Sequence, residues 1–99
     1  MMRTRDAILK TLEANRAAIR RFGVQRLGLF GSAARGEATD TSDLDFLVEL
    51  DPKSFDAYMS LKEFLEGLFA CRVDLVLRDS LKPRLSQTIL DETVYASGL

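Results

Sequence analysis

The sequence predicts a single α/β (α+β) domain over residues 1–99, in which a small three-stranded mixed sheet is backed by helices. Its length of 99 residues suits one domain. Apolar residues recur at helical spacing in some segments and alternate with polar residues in others, in the order helix, strand, short helix, strand, helix, strand, helix. No apolar segment approaches the length that spans a membrane. This order favours helices packed on one small sheet.

The first predicted element is a helix that runs from Thr4 to about Arg21. Its apolar residues fall at helical spacing, at Ile8, Leu12, Ile19 and Phe22. Thr4 can act as the N-cap, because its hydroxyl can accept a hydrogen bond from a free backbone N–H in the first turn. Gly23 is a natural end for this helix.

The second predicted element is a short strand over residues 24–30, which Gly31-Ser32 ends. Residues 33–35 then suit one turn of helix, and Gly36 ends that turn. Residues 37–42 are polar and predict a loop. We therefore expect a tight connection between a strand and a short helix at Gly31-Ser32.

Residues 43–50 alternate strictly and predict the second strand. The apolar side chains of this strand share one face, at Leu44, Phe46, Val48 and Leu50. Asp43 and Asp45 lie on the opposite face, because successive side chains of a strand alternate across the sheet. Their Cα atoms should lie about 6.6 Å apart, two steps of roughly 3.3 Å each. Proline cannot continue a paired interior strand, so Asp51-Pro52 ends the element.

The next predicted element is a long helix that begins after Ser54, which is expected to cap it. We expect its core-facing residues at Phe55, Tyr58, Leu61, Phe64, Leu65, Leu68 and Phe69. This stripe of aromatic and aliphatic side chains matches the buried face of an amphipathic helix better than it matches a cofactor pocket.

The last part of the chain predicts a strand, a helix and a docked tail. Residues 72–77 alternate again, with Asp74 on the face opposite the apolar residues. Residues 81–92 predict the final helix, since Pro83 is acceptable in its first turn. Residues 94–95 are expected to dock the tail against the rest of the domain.

The composition limits the classes of function. Lysine and arginine number 14 and aspartate and glutamate 15, so the formal charge is −1 and no global field attracts nucleic acid or membranes. Four arginines lie close together in the sequence: Arg16, Arg20, Arg21 and Arg26. They form either a solvated helix face or a patch that binds a polyanion or a partner. With no histidine and one cysteine, Cys71, catalysis must depend on carboxylates, hydroxyls and cations. The mixed charges of residues 1–12 do not suit a signal peptide, so we expect a cytoplasmic location.

The aspartates of the two later strands are the main candidates for chemistry. Asp43 and Asp45 can converge on one hard cation or on a pair, and water and substrate phosphates would complete the coordination that Mg²⁺ prefers. If the strand that carries Asp74 lies beside the strand that carries Asp43 and Asp45, the three carboxylates form a cluster. A divalent cation would relieve the repulsion among them. The alternative is that Asp74 forms a structural ion pair with Arg72 or Arg78.

Gly31-Ser32 is the candidate phosphate-binding turn. Such a turn exposes backbone N–H groups, glycine lets the backbone approach closely, Ser32 adds a hydroxyl, and Arg35 adds a guanidinium that matches phosphate oxygens. The alternative is an ordinary turn in which Ser32 is only a helix N-cap, while Ser42 only shapes its own turn. Together with the carboxylates, the turn predicts a two-metal site for phosphoryl or nucleotidyl transfer.

Residues 31–48 closely resemble the signature of the minimal nucleotidyltransferases, which belong to the DNA polymerase β-like superfamily. The match comprises the glycine-serine pair, a ten-residue gap and Asp43-Leu44-Asp45. Residues 73–75 resemble the family's third-carboxylate strand, and residues 85–95 resemble its closing helix. The resemblance implies the minimal nucleotidyltransferase fold and two Mg²⁺ ions ligated by Asp43, Asp45 and Asp74. It also implies nucleotide contacts at Gly31, Ser32, Arg35 and Ser42.

The same resemblance implies a function. It implies an Mg²⁺-dependent protein adenylyltransferase that serves as an antitoxin, transferring AMP from ATP to a tyrosine of a HEPN-family ribonuclease toxin. ATP follows from the family alone, because no base-reading residue is identifiable in the sequence. Two alternatives stay open: an inactive antitoxin that neutralises its partner by steric binding, and a transferase for a small molecule such as an aminoglycoside. We expect no direct binding of nucleic acid or membrane, and the sequence leaves a homo-oligomer open.

Overall fold

The computed structural model describes residues 4–37 and 43–99, with only the backbone described at Leu85. Its helices are α1 (Arg5–Ala14), α2 (Arg16–Arg20), α3 (Gly31–Ala34), α4 (Phe55–Phe69) and α5 (Pro83–Glu92). Its strands are β1 (Val24–Phe30), β2 (Leu44–Leu50), β3 (Val73–Leu77) and β4 (Val94–Tyr95), and a 3₁₀ turn follows β3 at Arg78–Ser80. No helix in this described part of the chain is both long enough and apolar enough to cross a membrane.

The strands form one mixed sheet in the order β3-β2-β1-β4. Strand β1 is antiparallel to β2 and to β4, while β2 and β3 are parallel and are connected through α4. The predicted three-stranded sheet was therefore one strand short. Val94 and Tyr95, which we expected only to dock the tail, pair with Leu29 and Gly28 of β1. Two residues are too few to show the alternation that identifies a strand in a sequence.

The predicted first helix is interrupted once. Thr4 caps α1 as expected, since its hydroxyl accepts a hydrogen bond from the N–H of Ala7 at 3.1 Å. The interruption lies at Asn15, whose φ of −107° and ψ of 14° depart from helical values. Its side-chain amide donates to the carbonyl of Thr11 at 2.8 Å, a local bond that competes with the regular helix. Helix α2 follows, and Gly23, at φ +92°, ends the helical segment as predicted.

The hydrophobic core lies between the sheet and helices α1, α2 and α4. The predicted apolar row of β2 is buried, at Leu44, Phe46, Val48 and Leu50. This row packs in one cluster with side chains of the three helices, at Ile8, Leu12, Ile19, Leu61 and Leu65. Because a slip of one residue would exchange the two faces of β2, this burial fixes the strand so that Asp45 projects from the opposite face.

Helix α4 presents most of its predicted stripe to the core. Ser54 caps the helix, because its hydroxyl accepts a first-turn backbone hydrogen bond at 3.0 Å. Leu61, Leu65 and Phe69 are buried, as predicted. Phe55 is 76% exposed, so its predicted place in the core was wrong. This residue begins the helix and lies about 80° around its axis from Leu65, on the flank of the stripe.

Replacing Leu65 with alanine should lower the free energy of unfolding by about 2–5 kcal/mol, because it leaves a cavity beneath α4. The matched change Phe55→Ala on the same helix should alter that free energy by less than about 0.5 kcal/mol, since the ring is mostly in water. Urea denaturation of the two variants measures both values. Equal losses would contradict the packing of α4 described above.

Candidate active site

The ends of three strands bring the candidate residues together. In the register of the sheet, Asp45 of β2 pairs with Asp74 of β3 on one side and with Phe30 of β1 on the other. Gly31 follows Phe30 directly, and Asp43 immediately precedes β2. The predicted carboxylates and the glycine-serine turn therefore share one end of the sheet. The condition set by the sequence, that the strand of Asp74 lie beside the strand of Asp45, is met.

The pKa of Asp45 is raised by its position at this end of the sheet. Its side chain is half-buried, and desolvation raises its pKa above the ordinary value for aspartate. The charges of Asp74, Asp43 and Glu92 raise the pKa further, in that order, and Arg35 lowers it. The three other carboxylates thus all disfavour the charged form of Asp45. Such repulsion is what a bound cation would relieve.

Asp74 is exposed, and within residues 4–37 and 43–99 it forms no ion pair. The alternative structural pairing with Arg72 or Arg78 is therefore not formed. Over the same ranges, no group of three aspartate, glutamate, cysteine or histidine side chains is already arranged to hold a metal ion. The chemistry of the donors nevertheless fits a hard cation such as Mg²⁺, because the carboxylates of Asp43, Asp45 and Asp74 are oxygen ligands that repel one another.

Gly31 lies directly against Asp45. Its φ of +75° falls in the left-handed region, which side-chain-bearing residues rarely adopt. A Cβ atom at this position would overlap Oδ2 of Asp45 and would lie 3.0 Å from its Cγ. Glycine is therefore required both by the backbone conformation and by the close approach of the turn to the carboxylate.

Glu92, at the end of α5, binds the donors of the same turn. The N–H of Gly31 donates to Oε1 of Glu92 at 3.1 Å, and Nη1 of Arg35 donates to Oε2 at 2.9 Å. Nε of Arg35 also donates to Glu37 at 3.0 Å. These hydrogen bonds, first that of Glu37 and then that of Glu92, hold the pKa of Arg35 above its ordinary value.

Sequence reasoning did not identify Glu92. It lies 61 residues from Gly31 along the chain, and no local pattern marks it. The pairing of β4 with β1 at Leu29 and Gly28 is what brings the end of α5 to the turn. Because β4 was not predicted, the contact of Glu92 with the Gly31 turn could not be predicted from the sequence either.

A cleft opens beside Asp74, at the β3 edge of the sheet. It has a volume of about 360 Å³ and is lined by Asp43, Lys62, Glu66, Arg72, Val73 and Asp74. Glu66 of α4 accepts a hydrogen bond from the N–H of Val73 at 3.1 Å, which ties the helix to the start of β3. A mainly apolar cavity of about 400 Å³ lies at the opposite ends of the strands, beside Leu50 and Leu77. We associate the smaller cleft with the site, because two of the carboxylates line it.

Comparison with known proteins places this arrangement in a family. The family model of the nucleotidyltransferase domain matches residues 12–96. The chain belongs to the nucleotidyltransferase domain family. The protein adenylyltransferase MntA of Thermococcus cleftensis is 44% identical to this nucleotidyltransferase domain over 96 residues, which cover 95% of the chain and 97% of that protein.

Solved structures share the fold of this nucleotidyltransferase domain. One, described as a candidate minimal nucleotidyltransferase, has 43% sequence identity and a TM-score of 0.73, and the match covers 87% of this chain and 93% of that one. Another, a toxin–antitoxin crystallised with AMP-PNP, has 25% identity and a TM-score of 0.70, and the match covers 88% of this chain and 73% of that one. The predicted family and the minimal nucleotidyltransferase fold are confirmed.

The two serines predicted at the nucleotidyltransferase site have different outcomes. Ser32 lies inside α3, whose N-cap is Phe30, so the alternative role of Ser32 as the N-cap is wrong. Its carbonyl accepts a hydrogen bond from the N–H of Glu37 at 2.8 Å, which closes the turn. Ser42 lies outside the described residues. Phosphate contacts by both serines stay predictions.

Proposed function

We propose that this nucleotidyltransferase domain transfers AMP from ATP to a tyrosine of a HEPN-family ribonuclease toxin, and so acts as the antitoxin of that pair. The observation that carries the proposal is the pairing of Asp45 with Asp74 next to the Gly31 turn. The 44% identical relative is named a protein adenylyltransferase, which supports the reaction. The toxin–antitoxin structure with AMP-PNP supports an adenine nucleotide and a toxin as the partner, and the HEPN class of that toxin follows from the family resemblance. The proposed location is the cytoplasm, which supplies ATP.

Asp43, Asp45 and Asp74 are the proposed ligands of Mg²⁺, with two ions at the site. Bound Mg²⁺ would neutralise part of the triphosphate charge and lower the pKa of the acceptor hydroxyl. Asp45 and Asp74 lie on strands whose relative positions are fixed by main-chain pairing between β2 and β3, and Asp43 immediately precedes β2. Ligands held in this way need little rearrangement, which favours transfer chemistry that depends on positioning.

The triphosphate is proposed to lie on the β1 side of the carboxylates, at Ser32 and Arg35. Arg35 and the N–H of Gly31 share the carboxylate of Glu92, and Gly31 lies against Asp45, so a phosphate held by this guanidinium would lie near the Asp45 carboxylate. A guanidinium can donate two parallel hydrogen bonds to phosphate oxygens, which fixes their orientation as well as their charge. The triphosphate and the carboxylates would then meet at one end of the sheet.

The acceptor is proposed to approach from the β3 edge, where Asp74 is exposed in the cleft of about 360 Å³. The tyrosine oxygen forms a bond to the α-phosphorus of ATP, the bond from that phosphorus to the pyrophosphate breaks, and pyrophosphate leaves. Asp74 takes the proton of the tyrosine hydroxyl. Lys62 and Arg72 line the same cleft and offer cationic contacts to the acceptor polypeptide.

Labelling of the toxin tests this function. The chain is incubated with the toxin encoded beside its gene, Mg²⁺ and ATP labelled at the α-phosphate, and label on the toxin is measured over time. We expect transfer by the wild type and a loss of about 10²–10⁴-fold in Asp74→Asn, the range for removal of a general base. Asp79→Asn is the matched control, because Asp79 is exposed at the other end of β3, where it pairs with Lys53.

Absence of label on the toxin, or equal rates for Asp74→Asn and the wild type, would contradict the proposal. If Asp74→Asn still neutralised the toxin, inhibition would be steric. Label on an aminoglycoside without any protein partner would instead support a small-molecule transferase.

A further inference from the structure

The carboxylate of Glu92 bridges two donors of the predicted phosphate-binding turn, one of which, Arg35, the proposed function assigns to the triphosphate. Oε1 accepts from the N–H of Gly31 at 3.1 Å and Oε2 accepts from Nη1 of Arg35 at 2.9 Å. One carboxylate thus spans a backbone N–H and a guanidinium, as two oxygens of a phosphate group would do. A phosphate that takes two parallel hydrogen bonds from the guanidinium needs either Nη1, which Glu92 holds, or Nε, which Glu37 holds.

We propose that Glu92 is an internal competitor of the nucleotide, whose carboxylate holds Arg35 until a phosphate of the incoming ligand takes its place. The inference rests on the proposed function, because it takes Arg35 as a phosphate contact. Nucleotide binding then exchanges one ion pair for another. The affinity for nucleotide is lower than the donors alone would give.

Exchange of this kind needs only a movement of the Glu92 side chain. That side chain is 25% exposed and the side chain of Arg35 is 47% exposed, so water reaches the ion pair and its rupture costs little. The backbone of Glu92 is fixed, because Thr93 donates to the carbonyl of Ile89 at 2.6 Å and the next residue, Val94, begins β4. Release of Arg35 therefore leaves the fold in place.

Charge adds to the competition. Glu92 and Asp45 both contact Gly31, and the charge of Glu92 adds to the burial, Asp74 and Asp43 that raise the pKa of Asp45. A phosphate that enters the same space meets this negative charge as well as an occupied guanidinium. Removal of the Glu92 charge should therefore tighten phosphate binding. If Glu92 merely supported the turn, the same substitution would weaken phosphate binding.

The test is calorimetric titration of the full chain with tripolyphosphate and, separately, with ATP, both in EDTA so that no metal contributes. We expect Glu92→Gln to lower the Kd of both ligands by about three- to tenfold, the effect of removing one partly exposed competing ion pair. Asp91→Asn is the matched control, because it removes the same charge one residue away, where the carboxylate accepts only from Gln87 among the described residues. This control should leave both constants within about twofold of the wild type.

A double-mutant cycle identifies the donor. In an Arg35→Met background, Glu92→Gln should tighten binding clearly less than in the wild type, because the contested guanidinium is gone and only the charge of Glu92 is removed. Unchanged or weaker binding of tripolyphosphate by Glu92→Gln would overturn the inference, and so would tightening that is equally large without Arg35. If Glu92→Gln does not fold, Glu92→Asp, whose carboxylate is set back by one methylene group and cannot reach both donors, must shift the constants in the same direction.

Titration in EDTA and toxin labelling with Mg²⁺ separate this inference from the proposed function. Tighter tripolyphosphate binding by Glu92→Gln in EDTA, with no label on the toxin when Mg²⁺ and ATP are supplied, supports competition at Arg35 and contradicts the proposed function alone. Normal ATP binding that Glu92→Gln does not improve contradicts the competition alone.

Discussion

Replacing Asp45 with asparagine should abolish AMP transfer and stabilise the fold at neutral pH in metal-free buffer. Activity should fall by at least about 10³-fold, because Asp45 pairs with Asp74 across the two strands and is proposed to help hold the metal that the reaction needs. Stability should rise by up to about 1 kcal/mol, after discounting for the exposure of the side chain, because the substitution removes a charge that its neighbours repel. Toxin labelling and thermal unfolding measure the two effects.

The stabilisation should depend on pH in a defined direction. The folded protein raises the pKa of Asp45, through burial and then the neighbouring carboxylates, so the native state holds this proton at a pH where the unfolded chain has lost it. Stability of the wild type therefore falls as the pH rises from the unfolded pKa, about 3.9, through the raised native pKa. The advantage of Asp45→Asn should be complete above that window and absent below it.

Glu49→Gln is the control for this prediction. Glu49 lies on the same face of β2, at the end of the strand remote from the carboxylate cluster, and makes a loose ion pair with Arg26 at 3.8 Å. It should keep full transfer activity. An Asp45→Asn protein that is less stable than the wild type at neutral pH, or that still labels the toxin, would show that the carboxylates of the strand ends do not act as described.

The sequence predicted the carboxylate cluster because two simple periodicities coincide there. Alternation in residues 43–50 places both aspartates on the face opposite the buried row, and burial of that row permits no other register. Alternation in residues 72–77 places Asp74 on one face of its strand in the same way. What alternation could not give was the neighbour relation of the two strands, which came from the family resemblance and is confirmed by the register of β2 and β3.

The features that the sequence did not predict depend on contacts between distant segments or on very short elements. Strand β4 has two residues, and the contact of Glu92 with Gly31 exists only because β4 joins the sheet. The interruption at Asn15 depends on a side-chain hydrogen bond that competes with the helix. Phe55 is apolar and lies at helical spacing from the stripe, yet it falls on the flank of the helix, where spacing alone does not distinguish buried from exposed.

Replacing Gly31 with alanine should lower AMP transfer by about 10²-fold, because the added Cβ would displace the Asp45 carboxylate, and misplacement of a reacting group by about 1 Å can have that effect. The substitution also forces alanine into a φ of +75°, which should lower the free energy of unfolding by about 1–2 kcal/mol. Toxin labelling and urea denaturation measure these two losses separately.

Gly36→Ala separates the contact from the conformation. Gly36 has nearly the same φ, +76°, but an added Cβ meets no atom of the described residues within 4 Å, its two chain neighbours aside. Both variants should therefore lose similar stability, since the strain of the left-handed backbone is common to them, while only Gly31→Ala should lose activity. Because Gly36 adjoins Arg35, a variant that retained transfer would also show that strain alone, one residue from the guanidinium, does not disturb the site. Equal losses of activity in the two variants would mean that backbone strain, and not displacement of Asp45, limits the reaction.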